Sequence, residues 1–92
     1  MVERLILGSD SLVTVVAEAL DGRVRVGTPD DGIASAVQGA GVDVETLDPT
    51  DERALSALDA DIVFVLEETS RAALATARAV RKALPGAYLL AY

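Results

Sequence analysis

The chain has no cysteine and no histidine. The first absence excludes disulfides and thiol chemistry. The two together remove the usual zinc sites, and without imidazole no side chain titrates near neutral pH at its ordinary pKa. Lysine is almost missing too: Lys82 stands alone among eight basic residues, and the rest are arginine. Long apolar runs are absent. The longest are about five residues, as from Ile62 to Leu66, against the roughly 18–20 needed to cross a bilayer. No secretory leader is visible, because Met1-Val2-Glu3-Arg4 opens an apolar run that already ends at Gly8. These absences lead to the expectation of a soluble, cytoplasmic protein with no membrane insertion.

What is present supports one domain over residues 1–92. Half of the residues are hydrophobic (51%), enough for a core. A chain of this size still buries only roughly 60–65% of its unfolded surface. Fifteen acids face eight bases, a net charge of −7. Such a surface repels nucleic-acid phosphates and anionic lipid, so no nucleic-acid partner is expected. The acid-rich, lysine-poor, alanine- and valine-rich composition reads as that of a halophile, whose carboxylates keep a protein hydrated in a salty cytoplasm.

Short apolar runs alternate with helical patterns. Leu5 to Leu7 reads as a strand, then Leu12, Val15, Val16, Ala19 and Leu20 recur at helical spacing behind Ser11, a good N-cap. Asp21-Gly22 stops that helix. Arg23 to Thr28 alternates as a second strand. Pro29-Asp30-Asp31-Gly32 starts a helix with Ile33, Ala36, Val37 and Ala40 on one face. Val42 to Leu47 is a third strand, Asp48-Pro49-Thr50-Asp51 a capped loop, and Ala54, Leu55 and Leu58 a small helix. Ile62 to Leu66 has no alternation, the pattern of a strand buried on both faces. Thr69 or Ser70 caps the longest helix, with Ala73, Ala77, Val80 and Leu84 inward and Arg71, Arg78, Arg81 and Lys82 outward. Pro85-Gly86 ends it, and Ala87 to Tyr92 is a fifth strand.

A β-α-β-α-β-α-β-α-β order predicts an α/β fold: a three-layer, Rossmann-like parallel sheet of about five strands, order 3-2-1-4-5, with helices on both faces. The reversal between the first and fourth strands opens a crevice at their carboxyl ends, where ligands bind such sheets. The turn at Gly8 borders it. A phosphate-binding turn has three glycines; here Asp10 and Val13 occupy the second and third places. The amides of Ser9 to Leu12 form either an anion site at a helix N-terminus or a plain cap. An acid holding a ribose diol lies about 20 residues past the first glycine. Gly27-Thr28 stands there, and Asp30 and Asp31 follow 22 and 23 residues past Gly8. Asp30 is either that acid or a helix cap. Asp48, Thr50 and Asp51 border the same crevice, as ligand contacts or caps. Glu67 and Glu68 end the fourth strand. No spacing supports a metal held by Asp10, Asp48 and Glu67, and no catalytic pair stands out.

The segments Leu5-Ile6-Leu7-Gly8, Gly41-Val42, Asp48-Pro49-Thr50-Asp51 with Leu55, Ala60-Asp61-Ile62-Val63-Phe64-Val65, and Arg71 to Tyr92 together resemble the TrkA-N domain. This is also called the RCK N-terminal domain, a Rossmann-type regulatory module of potassium channels and transporters. Similar modules begin haloarchaeal DHH-family phosphoesterases, including exopolyphosphatase-related proteins, and the acidic composition favours that setting. The resemblance implies binding of NAD(H) or another adenine nucleotide, with output to an attached C-terminal domain. By position, Gly8, Ser9, Asp10, Ser11 and Leu12 match its phosphate turn. Thr28 and Asp30 lie near its ribose-acid position, and Asp48 near its adenine-side loop. The DHH aspartate-histidine motifs are absent, so the 92 residues are expected to be no enzyme by themselves. Two alternatives stand beside the regulatory reading: a degenerate structural or dimerisation module without ligand, and the RCK domain of a potassium transport system. Strand character running to Tyr92 leads to the expectation of a fragment of a longer chain, or of pairing with another chain at that edge.

Overall fold

The computed structural model describes residues 3–20 and 24–91. Within them nine elements alternate: β1 (Arg4–Leu7), α1 (Leu12–Ala19), β2 (Val24–Thr28), α2 (Asp31–Gly39), β3 (Asp43–Thr46), α3 (Glu52–Ser56), β4 (Ile62–Val65), α4 (Ser70–Ala83) and β5 (Tyr88–Ala91). The strands form one sheet in the order β3-β2-β1-β4-β5, every neighbouring pair parallel. This is the α/β, Rossmann-like architecture that the alternation predicts. The expected helix stop at Asp21-Gly22, the strand start at Arg23 and the strand end at Tyr92 lie outside the described residues.

The pleat divides the core. Along β1, Leu5 and Leu7 face one way and pack with Leu55, Leu58, Val63, Val65, Ala79 and Val80, under α3 and α4. Ile6 faces the other way, with Val13, Ala17, Val24, Val26 and Val37 under α1 and α2. Successive strand side chains point to opposite faces, so three residues of β1 serve two cores. No described helix is long and apolar enough to cross a membrane.

Several local expectations shift. The α1 face turned inward centres on Val13 and Ala17, while Val15 and Ala19 are exposed. In α2 the inward residue is Val37, with Ile33 beside it, and Ala36 and Ala40 are exposed. In α4 the buried residues are Thr76, Ala79 and Val80, and Ala77 is only half-buried. Alanine and valine populate both faces of these helices, so spacing alone does not fix their rotation. β4 is less evenly buried than its apolar run implies. Val63 and Val65 are enclosed, whereas Ile62 and Phe64 are half-buried, because α1 and α2 cover the sheet over β1, β2 and β3 and stop short of β4 and β5.

Capping explains where helices start. Asp30 Oδ1 accepts from the Gly32 and Ile33 amides, and Asp51 Oδ1 accepts from those of Arg53 and Ala54. Thr69 Oγ1 accepts from the Ala72 amide. Ser11, the expected cap of α1, makes no capping bond. Asp10 replaces it: its Oδ1 accepts from the Leu12 amide at 2.9 Å and its carbonyl from the Val13 amide at 3.0 Å.

Candidate functional site

The sheet brings the carboxyl ends of β1, β2 and β4 into one row, with Leu7 beside Gly27 on one side and Val65 on the other. Three backbone bonds continue the row past the strand ends. The Leu66 amide donates to the Leu7 carbonyl at 2.8 Å, the Asp10 amide to the Leu66 carbonyl at 3.2 Å, and the Gly8 amide to the Gly27 carbonyl at 3.3 Å. Gly8 has φ +142°, and a Cβ there would overlap the Leu66 carbonyl. Glycine is therefore required by the close approach of the β1–α1 turn to the end of β4.

The space above this turn is already held by an acid. The Glu67 carboxylate, one residue past Leu66, accepts from the Ser9 amide at 2.8 Å and the Ser9 hydroxyl at 3.1 Å through Oε1. Its Oε2 accepts from the Thr76 hydroxyl at 2.8 Å. Thr76 is wholly buried, so this hydroxyl needs a partner and Glu67 supplies it. One carboxylate thus ties the first turn to α4. Asp10 takes the Leu12 amide. Carboxylates of the protein therefore occupy two amides that a phosphate turn presents to its ligand. Val13, in the place of the third glycine, is fully buried between α1 and the sheet.

Along the row, the Thr28 hydroxyl is buried and accepts from the Asp30 amide at 3.2 Å. Asp30 is exposed and acts as the α2 cap. In the β3–α3 loop the Asp48 carboxylate accepts from the Thr50 amide at 2.9 Å and the Thr50 hydroxyl at 2.7 Å. Bonding to the Thr50 hydroxyl, then to the Thr50 amide, holds the Asp48 carboxyl below the ordinary aspartate pKa. The loop stays beside β2 through a bond from the Leu47 amide to the Thr28 carbonyl. Gly27 packs closely on its face of the sheet: a Cβ would come within 2.8 Å of the Leu7 side chain and 3.3 Å of that of Leu47, so both would have to shift to admit one.

A crevice of about 520 Å³ lies on the β4 side, rimmed by Asp10, Glu67 and Glu68 and floored by Ala73, Leu74 and Ala77. Among the described residues no group of three His, Cys, Asp or Glu side chains is arranged to hold a metal, so Asp10, Asp48 and Glu67 do not converge. Another concavity, of about 470 Å³, runs along β3 with Arg25 and Gln38, away from Gly8. Sequence reasoning noticed Glu67 at the switch point but gave it no partner. Thr76 it missed, because a threonine between alanines on a long helix carries no signal of its own.

No family model matches the chain, and no curated protein matches it. Among solved structures it is similar to apo histidine-tagged saccharopine dehydrogenase (L-Glu forming) from Saccharomyces cerevisiae, with a TM-score of 0.72 and 21% identity. The match covers 99% of this chain and 21% of the dehydrogenase, so the chain spans about a fifth of that protein's length. This likeness carries the fold, which is Rossmann-like.

Proposed function

We propose that the chain is a regulatory nucleotide-binding module of a larger protein. It takes NAD(H) or another adenine nucleotide at the carboxyl ends of its strands and passes occupancy to an attached domain. The observation that carries this reading is the reversal of strand order between β1 and β4 beside Gly8, the place where doubly wound sheets bind ligands. Gly8, Ser9, Asp10, Ser11 and Leu12 are its phosphate turn, Thr28 and Asp30 its ribose side, and Asp48 its adenine side. A phosphate that reaches the Ser9 amide must displace the Glu67 carboxylate. The module has no chemistry of its own in this reading, in keeping with its lack of histidine and cysteine. The attached domain that the TrkA-N resemblance points to is a DHH-type phosphoesterase, with a potassium transport system as the alternative.

The Glu67 contacts favour a second reading, a degenerate module whose anion site is closed by its own side chain. Calorimetric titration with NAD, NADH, ATP, AMP and cyclic di-AMP in high salt separates the two, using the chain and its Glu67→Gln variant. Saturable heat with the unaltered chain supports the ligand reading. Binding that emerges only in Glu67→Gln assigns closure to the carboxylate. Silence from both discards nucleotide binding.

A further inference from the structure

Among the described residues, the margin around β5 is uncovered on three sides. Among them β5 pairs with β4 alone, and no described residue covers its outer backbone edge. On the α1 face of the sheet, Tyr88 and Leu90 stand in register with Ile62 and Phe64. No described helix reaches that part of the sheet, and Tyr88 and Leu90 are 78% and 53% exposed. On the α4 face, a groove of about 580 Å³ is lined by Leu74, Ala77, Leu89, Arg78, Arg81 and Lys82.

The charge beside this margin runs against that of the chain. Helix α4 carries four of the eight basic residues and no acid, while the remaining residues carry all fifteen acids. Lys82 meets Glu52 at 4.0 Å with both side chains well exposed, a pair that contributes little. Arg71, Arg78 and Arg81 have no ion-pair partner among the described residues. Three uncommitted guanidinium groups in a protein of net charge −7 suit carboxylates that come from outside it.

We propose that the β5 margin docks an extended acidic segment of a partner polypeptide, which adds to the sheet beside β5. Its alternate apolar residues cover Tyr88 and Leu90 on one face and its carboxylates meet Arg78 and Arg81 on the other. Main-chain bonds to an open sheet edge give affinity, and alternate side chains give selectivity. A second copy of this chain is a poorer occupant. Two-fold pairing at β5 sets one α4 against the other, bringing like charges together. Docking the acidic surface of one copy onto α4 of the next is a head-to-tail contact, which builds rings or filaments and not a two-fold dimer. This inference is independent of the nucleotide reading, because no residue of the proposed phosphate, ribose or adenine contacts takes part.

The test uses two fluorescein-labelled short peptides, one alternating valine with glutamate and one alternating valine with lysine. Anisotropy follows their binding to the whole chain in moderate salt. The expected result is saturable binding of the glutamate peptide alone. Arg78→Glu with Arg81→Glu weakens it roughly ten-fold or more, whereas Arg78→Lys with Arg81→Lys retains most of it. Amide exchange slows at Tyr88 to Ala91. Circular dichroism checks that the variants keep the fold, and Leu90→Asp gives an independent loss on the other face. No binding, equal binding of both peptides, or indifference to the arginine reversals overturns the proposal. So does light scattering that shows a closed dimer broken by Leu90→Asp, since that assigns the margin to a second copy.

Discussion

Gly8 and Glu67 show how single residues set this site. Gly8 is irreplaceable because a backbone carbonyl, Leu66, fills the space where a Cβ would go, and its φ of +142° disfavours any side chain. Gly8→Ala is expected to destabilise the protein by about 3 kcal/mol or more, read as a lower urea midpoint at unchanged slope. Asp48 is the residue with a directional pH effect. Its carboxyl is held below the ordinary pKa by Thr50. Asp48 therefore stabilises the fold above the unfolded-state aspartate pKa, about 3.9, and the contribution is lost as pH falls through the lower folded-state value. Thr50→Ala removes the larger of the two causes. The Asp48 carboxyl should then titrate at higher pH in NMR, and the stability lost should shrink toward strongly acidic conditions. Asp10 and Val13 were legible in the sequence as departures from a glycine-rich turn. What they do instead was not legible: one caps α1 and the other fills a core site.

At the scale of elements, caps and periodicity set the boundaries and fixed the rotations only in part. Asp30, Asp51 and Thr69 each sit at the end of a polar turn before an apolar pattern, and each accepts the expected helix amides. Thr69→Ala is expected to cost about 1 kcal/mol, measured by thermal melting, through loss of the bond from the Ala72 amide. Of the residues expected inward, Leu12, Val16, Leu20, Ile33, Val37, Ala73, Val80 and Leu84 lie in or against the core, while Val15, Ala19, Ala36 and Ala40 are exposed. Alanine and valine supply too little contrast between one side of a helix and the other to fix its rotation. α3 spans only Glu52–Ser56, yet Leu55 is fully buried between α4 and the sheet. A helix this short is not stable alone and depends on that contact. Leu55→Ala should therefore lower stability by about 2–5 kcal/mol and speed amide exchange through α3.

At the scale of the whole molecule, the acidic balance is the dominant long-range force. A net charge of −7 on 92 residues favours expansion of the chain, and salt screens that repulsion. The thermal midpoint is expected to rise between about 0.1 M and 1 M sodium chloride, as the screening length falls from about 10 Å to about 3 Å. A flat response would remove the physical basis of the halophile reading. The uneven cover of the sheet is a property of the same scale. Two helices lie over β1, β2 and β3, and the apolar face of β4 and β5 is left to other contacts.

The sequence by itself determined the alternation of strands and helices, their parallel order and the crevice beside Gly8. These follow from periodicities of two and 3.6 residues and from turns marked by Gly, Pro and Asp. Only the tertiary structure decided what fills that crevice. Glu67 meets Ser9 across 58 positions and Thr76 across nine, and no local pattern encodes a hydrogen bond between a strand end, a distant turn and the buried side of a helix.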